Sequence, residues 1–191
     1  MTNYNQLASE IHQNSVNHGF WNDNPGTQHY LMLVVCELAE AVEADRSGRV
    51  CFREAFDSFM KDWSEEARLE DPVKFHFEFE SNFKSLVKDT TGDELADAVI
   101  RLLDLAAAHN VDFEHAKLVK VYMSGDWEFT EKVMAIITLL TDVTLSTEVS
   151  IVSAIRAIET LASHVDIDLQ WHIAQKMRYN ESRPFLHGKK Y

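Results

Sequence analysis

Apolar residues recur at three- and four-residue intervals along almost the whole chain, and residues that break such a pattern are scarce. Of 191 residues only 6 are Gly and 3 are Pro, too few to supply the turns of an all-β fold. The chain therefore reads as all-α, a helical bundle. The periodicity predicts helices near 4–18, 27–46, 51–66, 73–89, 93–109, 112–123, 128–145, 147–164 and 168–180. Breakers fall between them: Asn24-Pro25-Gly26, Asp45-Arg46-Ser47-Gly48, Asp71-Pro72, Thr91-Gly92 and Gly125-Asp126, with Pro184 stopping the last helix. His76-Phe77-Glu78-Phe79-Glu80 alternates like a short strand, but no partner strand is visible and the segment is kept helical. Nothing is low-complexity or linker-like, so residues 1–191 are expected to form one domain.

An internal repeat offers one account of the architecture. A shift of 54 lays 98–105 over 152–159 and Glu94 over Glu148; a shift of 101 lays 32–42 over 133–143. Thr138 and Thr141 then stand where Glu37 and Glu40 stand. Either a helix pair was duplicated and its second copy lost its acids, or two amphipathic helices look alike by chance.

Charge narrows the function classes. The net charge of −13 repels phosphate polymers, which argues against a nucleic-acid-binding face. Residues 176–191 nevertheless carry Lys176, Arg178, Arg183, Lys189 and Lys190 against Glu181 alone. The body is acidic and the tail is basic. Cys36 and Cys51 form no metal or redox spacing. The longest apolar run, Tyr30 to Cys36, is far short of the roughly 18 residues of a membrane span. With no signal-like opening segment, the expected setting is a reducing cytoplasm, away from membranes.

Within Tyr30-Leu-Met-Leu-Val-Val-Cys-Glu-Leu-Ala-Glu-Ala-Val42, Glu37 and Glu40 are i,i+3 neighbours on a helix that is otherwise apolar. Two carboxylates interrupting an apolar stripe repel each other and lose hydration unless a cation offsets them. Glu94 and Asp97 form a second such pair at the start of the next long apolar helix. Thr91-Gly-Asp-Glu94 also fits a capping box, and Glu94, Asp97, Arg101 and Asp104 could be a stripe facing water. Brought together, the two pairs would make an all-oxygen cluster suited to Mg²⁺ or Mn²⁺. No Glu-x-x-His occurs, which argues against a di-iron bundle. Lys176, Tyr179, Asn180 and Arg183 follow i, i+3, i+4, i+7 spacing, a row of donors suited to a polyphosphate or, more blandly, to the helix C-terminus.

These blocks resemble the MazG-like, all-α nucleoside triphosphate pyrophosphohydrolases. The likeness rests on Cys36-Glu-Leu-Ala-Glu-Ala-Val-Glu-Ala44, Asp93-Glu-Leu-Ala-Asp-Ala-Val-Ile-Arg-Leu102 and Lys176-Met-x-Tyr-Asn-x-x-Arg-Pro184, with Gly19-Phe-Trp21 ahead of them. The resemblance implies Mg²⁺-dependent cleavage of a (d)NTP to the (d)NMP and pyrophosphate, as a house-cleaning activity; a dUTPase-type enzyme of the same superfamily is the alternative. It implies metal ligation by Glu37, Glu40, Glu94 and Asp97, with Glu37 also orienting water. Lys176, given a catalytic role as well, Asn180, Arg183 and Lys189 would hold phosphates, beside Tyr179, and Trp21 would stack on the base or serve as a buried anchor. Two stretches, about 51–89 and 113–167, depart from the family pattern as insertions. Such relatives form dimers or larger homo-oligomers, whereas a degenerate second half could supply those contacts within one chain. A rival from another class is a non-catalytic helical interaction module.

Overall fold

The computed structural model describes residues 3–23 and 26–188. Its helices are α1 (Tyr4–Asn17), α2 (Thr27–Arg46), α3 (Arg53–Asp62), α4 (Glu65–Glu70), α5 (Pro72–Leu86), α6 (Thr91–Ala108), α7 (Phe129–Leu140), α8 (Thr147–His164) and α9 (Leu169–Glu181), and a 3-10 turn spans Phe185–Gly188. Among the described residues there is no strand, and the fold is an all-α bundle. Residues 76–80 are helical, inside α5.

The bundle is organised around α6. Leu95, Ala96, Ala98, Val99, Leu102, Leu103, Leu105 and Ala106 are all buried, so α6 is apolar nearly all round, as a central helix must be. It packs most extensively on α2 and also on α1, α9 and α8. Helices α7 and α8 pair with each other and cover the flank of α2 and α6. A second, aromatic cluster joins α3 and α5 to α9: Phe56, Phe79, Phe83 and Tyr179 are buried there, with Phe83 and Tyr179 stacked at 4.6 Å. Gly92 is the contact point between α6 and α9. A Cβ there would lie 2.3 Å from the His172 ring, so only glycine lets the helices approach this closely.

Three predicted helices differ. The expected 51–66 helix is cut at Trp63, whose extended backbone lets the Ser64 side chain cap α4 by accepting from the Ala67 N–H. The 128–145 helix stops at Leu140. The 112–123 helix does not form. Its backbone donors are taken by side chains instead: Phe113 N–H bonds Asn5, Glu114 N–H bonds Asp112, and Val119 N–H bonds Ser153.

Candidate functional site

Helices α2, α6 and α9 converge on a cavity of about 580 Å³, and the carboxylates line one end of it. Glu37 comes from the middle of α2, where the i,i+3 spacing turns it toward α6. Glu94 and Asp97 come from the first turns of α6. Oxygens of Glu37, Glu94 and Asp97 lie within 4.8 Å of one another, and those of Asp89, Asp93 and Glu94 do likewise. Glu37 and Glu94 are buried. Glu40, one turn beyond Glu37, is exposed at the cavity rim.

The capping-box reading of Glu94 does not hold, because the helix begins one residue earlier than such a box requires. Thr90 is the N-cap, and its hydroxyl donates to Val87 O rather than capping the helix. The stripe Glu94, Asp97, Arg101 and Asp104 lines the cavity and does not face bulk water.

Two cations hold the acids in place. Arg101 Nε donates to Glu37 Oε1 at 2.6 Å. Lys176 Nζ lies 2.8 Å from Asp93 Oδ2 and 2.7 Å from Asp97 Oδ2, and is itself buried. Fully ionised, Glu37, Asp93, Glu94 and Asp97 would carry four negative charges against these two positive ones, and Asp93 Oδ1 has no hydrogen-bond partner. The pKa values follow from this surplus. Burial, then the Asp97 and Asp93 charges, pushes Glu94 up to about 8. Burial and Asp97 raise Glu37 against the opposing pull of Arg101. Burial raises Asp93 although Lys176 opposes it, and the paired Asp97 and Asp93 hold Lys176 well above the ordinary lysine range.

That surplus matches one divalent cation. Burial without neutralisation is costly, the donors are all carboxylate oxygen, and hard ions such as Mg²⁺ or Mn²⁺ prefer such donors. The residues present therefore fit the group.

Of the basic face, Lys176, Asn180 and Arg183 line the cavity. Lys176 differs from expectation in that both acids already engage its ammonium. Asn180 is buried and its Oδ1 has no partner. Arg183 lies beyond the end of α9, in the turn that follows. Tyr179 points away, stacked on Phe83, because this face of α9 straddles the cavity and the aromatic cluster. Lys189 lies outside the described residues.

Trp21 is half-buried, is not among the residues lining the cavity, and is held as an anchor would be. Its ring is stacked on Tyr30 at 4.3 Å, and its Nε1 donates to Asp104. Asp104 also accepts from Ser15 Oγ at 2.7 Å and contacts His12 Nδ1 at 2.6 Å. Ile11, Phe20, Tyr30, Leu33 and Ile100 give the same cavity an apolar lining, which Asn14 joins.

Three residues of the site are not among the expected site residues. Asp93 opens the second resembling block and lies one helical turn before Asp97, on its face, but has no expected role. Lys88 enters the cavity wall through a turn, paired with Asp89. His187 arrives only because the chain returns over α1, which no local pattern encodes. Among the described residues no helix is long and apolar enough to cross a membrane. No protein-family model, characterised protein or solved structure matches the chain.

Proposed function

We propose that the chain is a Mg²⁺-dependent nucleoside triphosphate pyrophosphohydrolase, cleaving a (d)NTP between its α and β phosphates to a (d)NMP and pyrophosphate. One observation carries the reading: a buried cluster of four acids against two cations opens into a cavity that also presents Arg183, Lys88 and the Asn180 side chain. Carboxylates seeking a divalent ion and donors seeking phosphate then share one chamber. Its volume is in the range that encloses a small ligand.

Glu37, Glu94 and Asp97, with Glu40 from the rim, would hold Mg²⁺ or Mn²⁺. When bound, that ion supplies charge neutralisation and a more acidic water. The remaining work belongs to the side chains. Arg183 and Asn180 bind the phosphates, with Arg183 able to grip two oxygens at once. Glu37, held by Arg101, orients the water and accepts its proton. Lys176 fixes Asp97 and so acts as a positioning residue. The apolar wall of Ile11, Phe20, Tyr30 and Leu33 receives the nucleoside and excludes water.

We infer a cytoplasmic, house-cleaning enzyme in which both cysteines remain thiols. We infer further a homo-oligomer, or a monomer in which α7 and α8, which cover the flank of α2 and α6, supply the partner's contacts from within the chain. The test is a panel of standard and modified NTPs and dNTPs with Mg²⁺, assayed for pyrophosphate. Release of pyrophosphate with the matching monophosphate supports the reading. No release from any member, or release of orthophosphate alone, overturns it and leaves a non-catalytic helical module.

A further inference from the structure

Among the described residues, Lys88 and Lys176 both line the cavity, and they are held in opposite ways. The Lys176 side chain is 4% exposed and bonds both Asp93 and Asp97. Moving it would leave the buried Asp93 without its counter-ion, which is costly. The Lys88 side chain is 34% exposed and pairs with Asp89. Asp89 has a second cation besides: Arg49 Nη1 donates to its carbonyl at 3.4 Å and lies 3.9 Å from its Oδ2. Lys88 can therefore leave Asp89 while Arg49 stays. Of the two lysines it is the one able to turn to a ligand.

Its place in the cavity follows from α6. Lys88 and Asp89 come just before Thr90, the N-cap of that helix. Asp89 takes left-handed backbone, at φ 60°, which aspartate tolerates. Its N–H donates to Asp93 Oδ2 at 3.0 Å, so the turn folds back onto the acids. Oxygens of Asp89, Asp93 and Glu94 lie within 4.8 Å of one another. Along α6 the cavity lining thus runs from Ile100 through Asp97 and Glu94 to Asp89 and Lys88. Ile100 is about 10 Å along the axis from Asp93, at roughly 1.5 Å per residue. A nucleotide whose base rests by Ile100, and whose first two phosphates meet Asp97 and Glu94, directs its last phosphate toward Lys88.

We propose that Lys88 binds the terminal phosphate of the substrate and so sets a requirement for triphosphates over diphosphates. This rests on the pyrophosphohydrolase reading for the placement of the nucleoside and the first two phosphates. Charge favours the exchange of partners. Asp89 offers the ammonium one negative charge, whereas a terminal phosphate offers about two, on three acceptor oxygens. With a diphosphate in the cavity, Lys88 stays on Asp89.

The experiment measures, by calorimetry in Mg²⁺, binding of the α,β-methylene analogues of nucleoside di- and triphosphates of all four bases. Wild-type protein is compared with Lys88→Met, Lys88→Gln and Lys88→Arg, and pyrophosphate release from the parent triphosphates is followed alongside. Glutamine is a second neutral replacement for the case in which methionine fails to fold. For at least one base the wild type is expected to bind the triphosphate analogue about tenfold or more tightly than the diphosphate, the worth of one charge-assisted hydrogen bond. The neutral variants are expected to lose that preference while binding the diphosphate as the wild type does, and Lys88→Arg to keep most of it. No preference in the wild type, equal loss on both chain lengths, or no change in the neutral variants overturns the assignment and leaves Lys88 as a partner of Asp89 alone. Length-dependent binding that the neutral variants abolish, without pyrophosphate release by the wild type, upholds the assignment and removes the hydrolase reading. If no analogue binds, both fall.

Discussion

Helices α2 and α6 form one packed pair, α7 and α8 another, and the two pairs flank each other. Aligned by the 54- and 101-residue shifts, they differ where chemistry would sit. The first pair places Glu37 and Arg101 in contact inside the bundle. The second places Thr138 on the surface, bonding its own helix at Met134 O, and buries Ile155 in the position of Arg101. Asp97 corresponds to the buried Ile151. The second pair therefore buries isoleucines at two places where the first carries charge, so charge at those places is not a requirement of helix pairing. Burying the acids of α2 and α6 costs desolvation, which supports the site proposed above.

The largest expected effect tests that contrast directly. Glu94→Gln should reduce Mg²⁺-dependent pyrophosphate release by at least about a hundredfold, since it removes a proposed ligand. Thr138→Val, at the matching place in the other pair, should leave turnover unchanged. Next comes the pair itself. Arg101→Ile leaves Glu37 buried without its partner and should cost about 3–5 kcal/mol in urea unfolding. Adding Glu37→Thr imports the residues of the second pair and should restore most of that loss. Failure of the double variant to recover would mean the two pairs are not equivalent environments.

Gly92→Ala should cost about 1–3 kcal/mol, because the new methyl meets the His172 ring and forces α9 from α6. The last effect is in pH. Glu94 is pushed up to about 8 in the fold, against about 4.3 in an unfolded chain. The folded state therefore binds more protons in that interval, and metal-free stability should fall as pH rises from about 4.3 to about 8. Melting curves of the wild type and Glu94→Gln should coincide near the low end and separate toward the high end. Mg²⁺, which needs the ionised carboxylate, should bind more tightly over the same rise and close the gap.

Much of this was legible in the chain because it is local. The bounds of α2 and α8 follow directly from periodicity, and the Glu37–Glu94–Asp97 cluster follows from carboxylates set in apolar helices. What was not legible depends on tertiary return. The 112–123 segment has a helical pattern, yet Asn5 and Ser153, distant in sequence, capture its amides. Tyr179 and Asn180 are adjacent, but one faces an aromatic cluster built by α3 and α5 while the other faces the cavity. Spacing on one helix could not separate them. Trp21 likewise meets Tyr30 and Asp104 only once α1, α2 and α6 have assembled.

Lys176 has a consequence for how such a protein comes into being. Its ammonium, bonded to Asp93 and Asp97 inside the bundle, is a counter-ion carried by the chain itself. Many small metalloproteins stay unfolded until their ion arrives. On the proposed reading, Lys176 supplies part of the charge that the ion would bring, so the bundle would keep its fold before the ion binds.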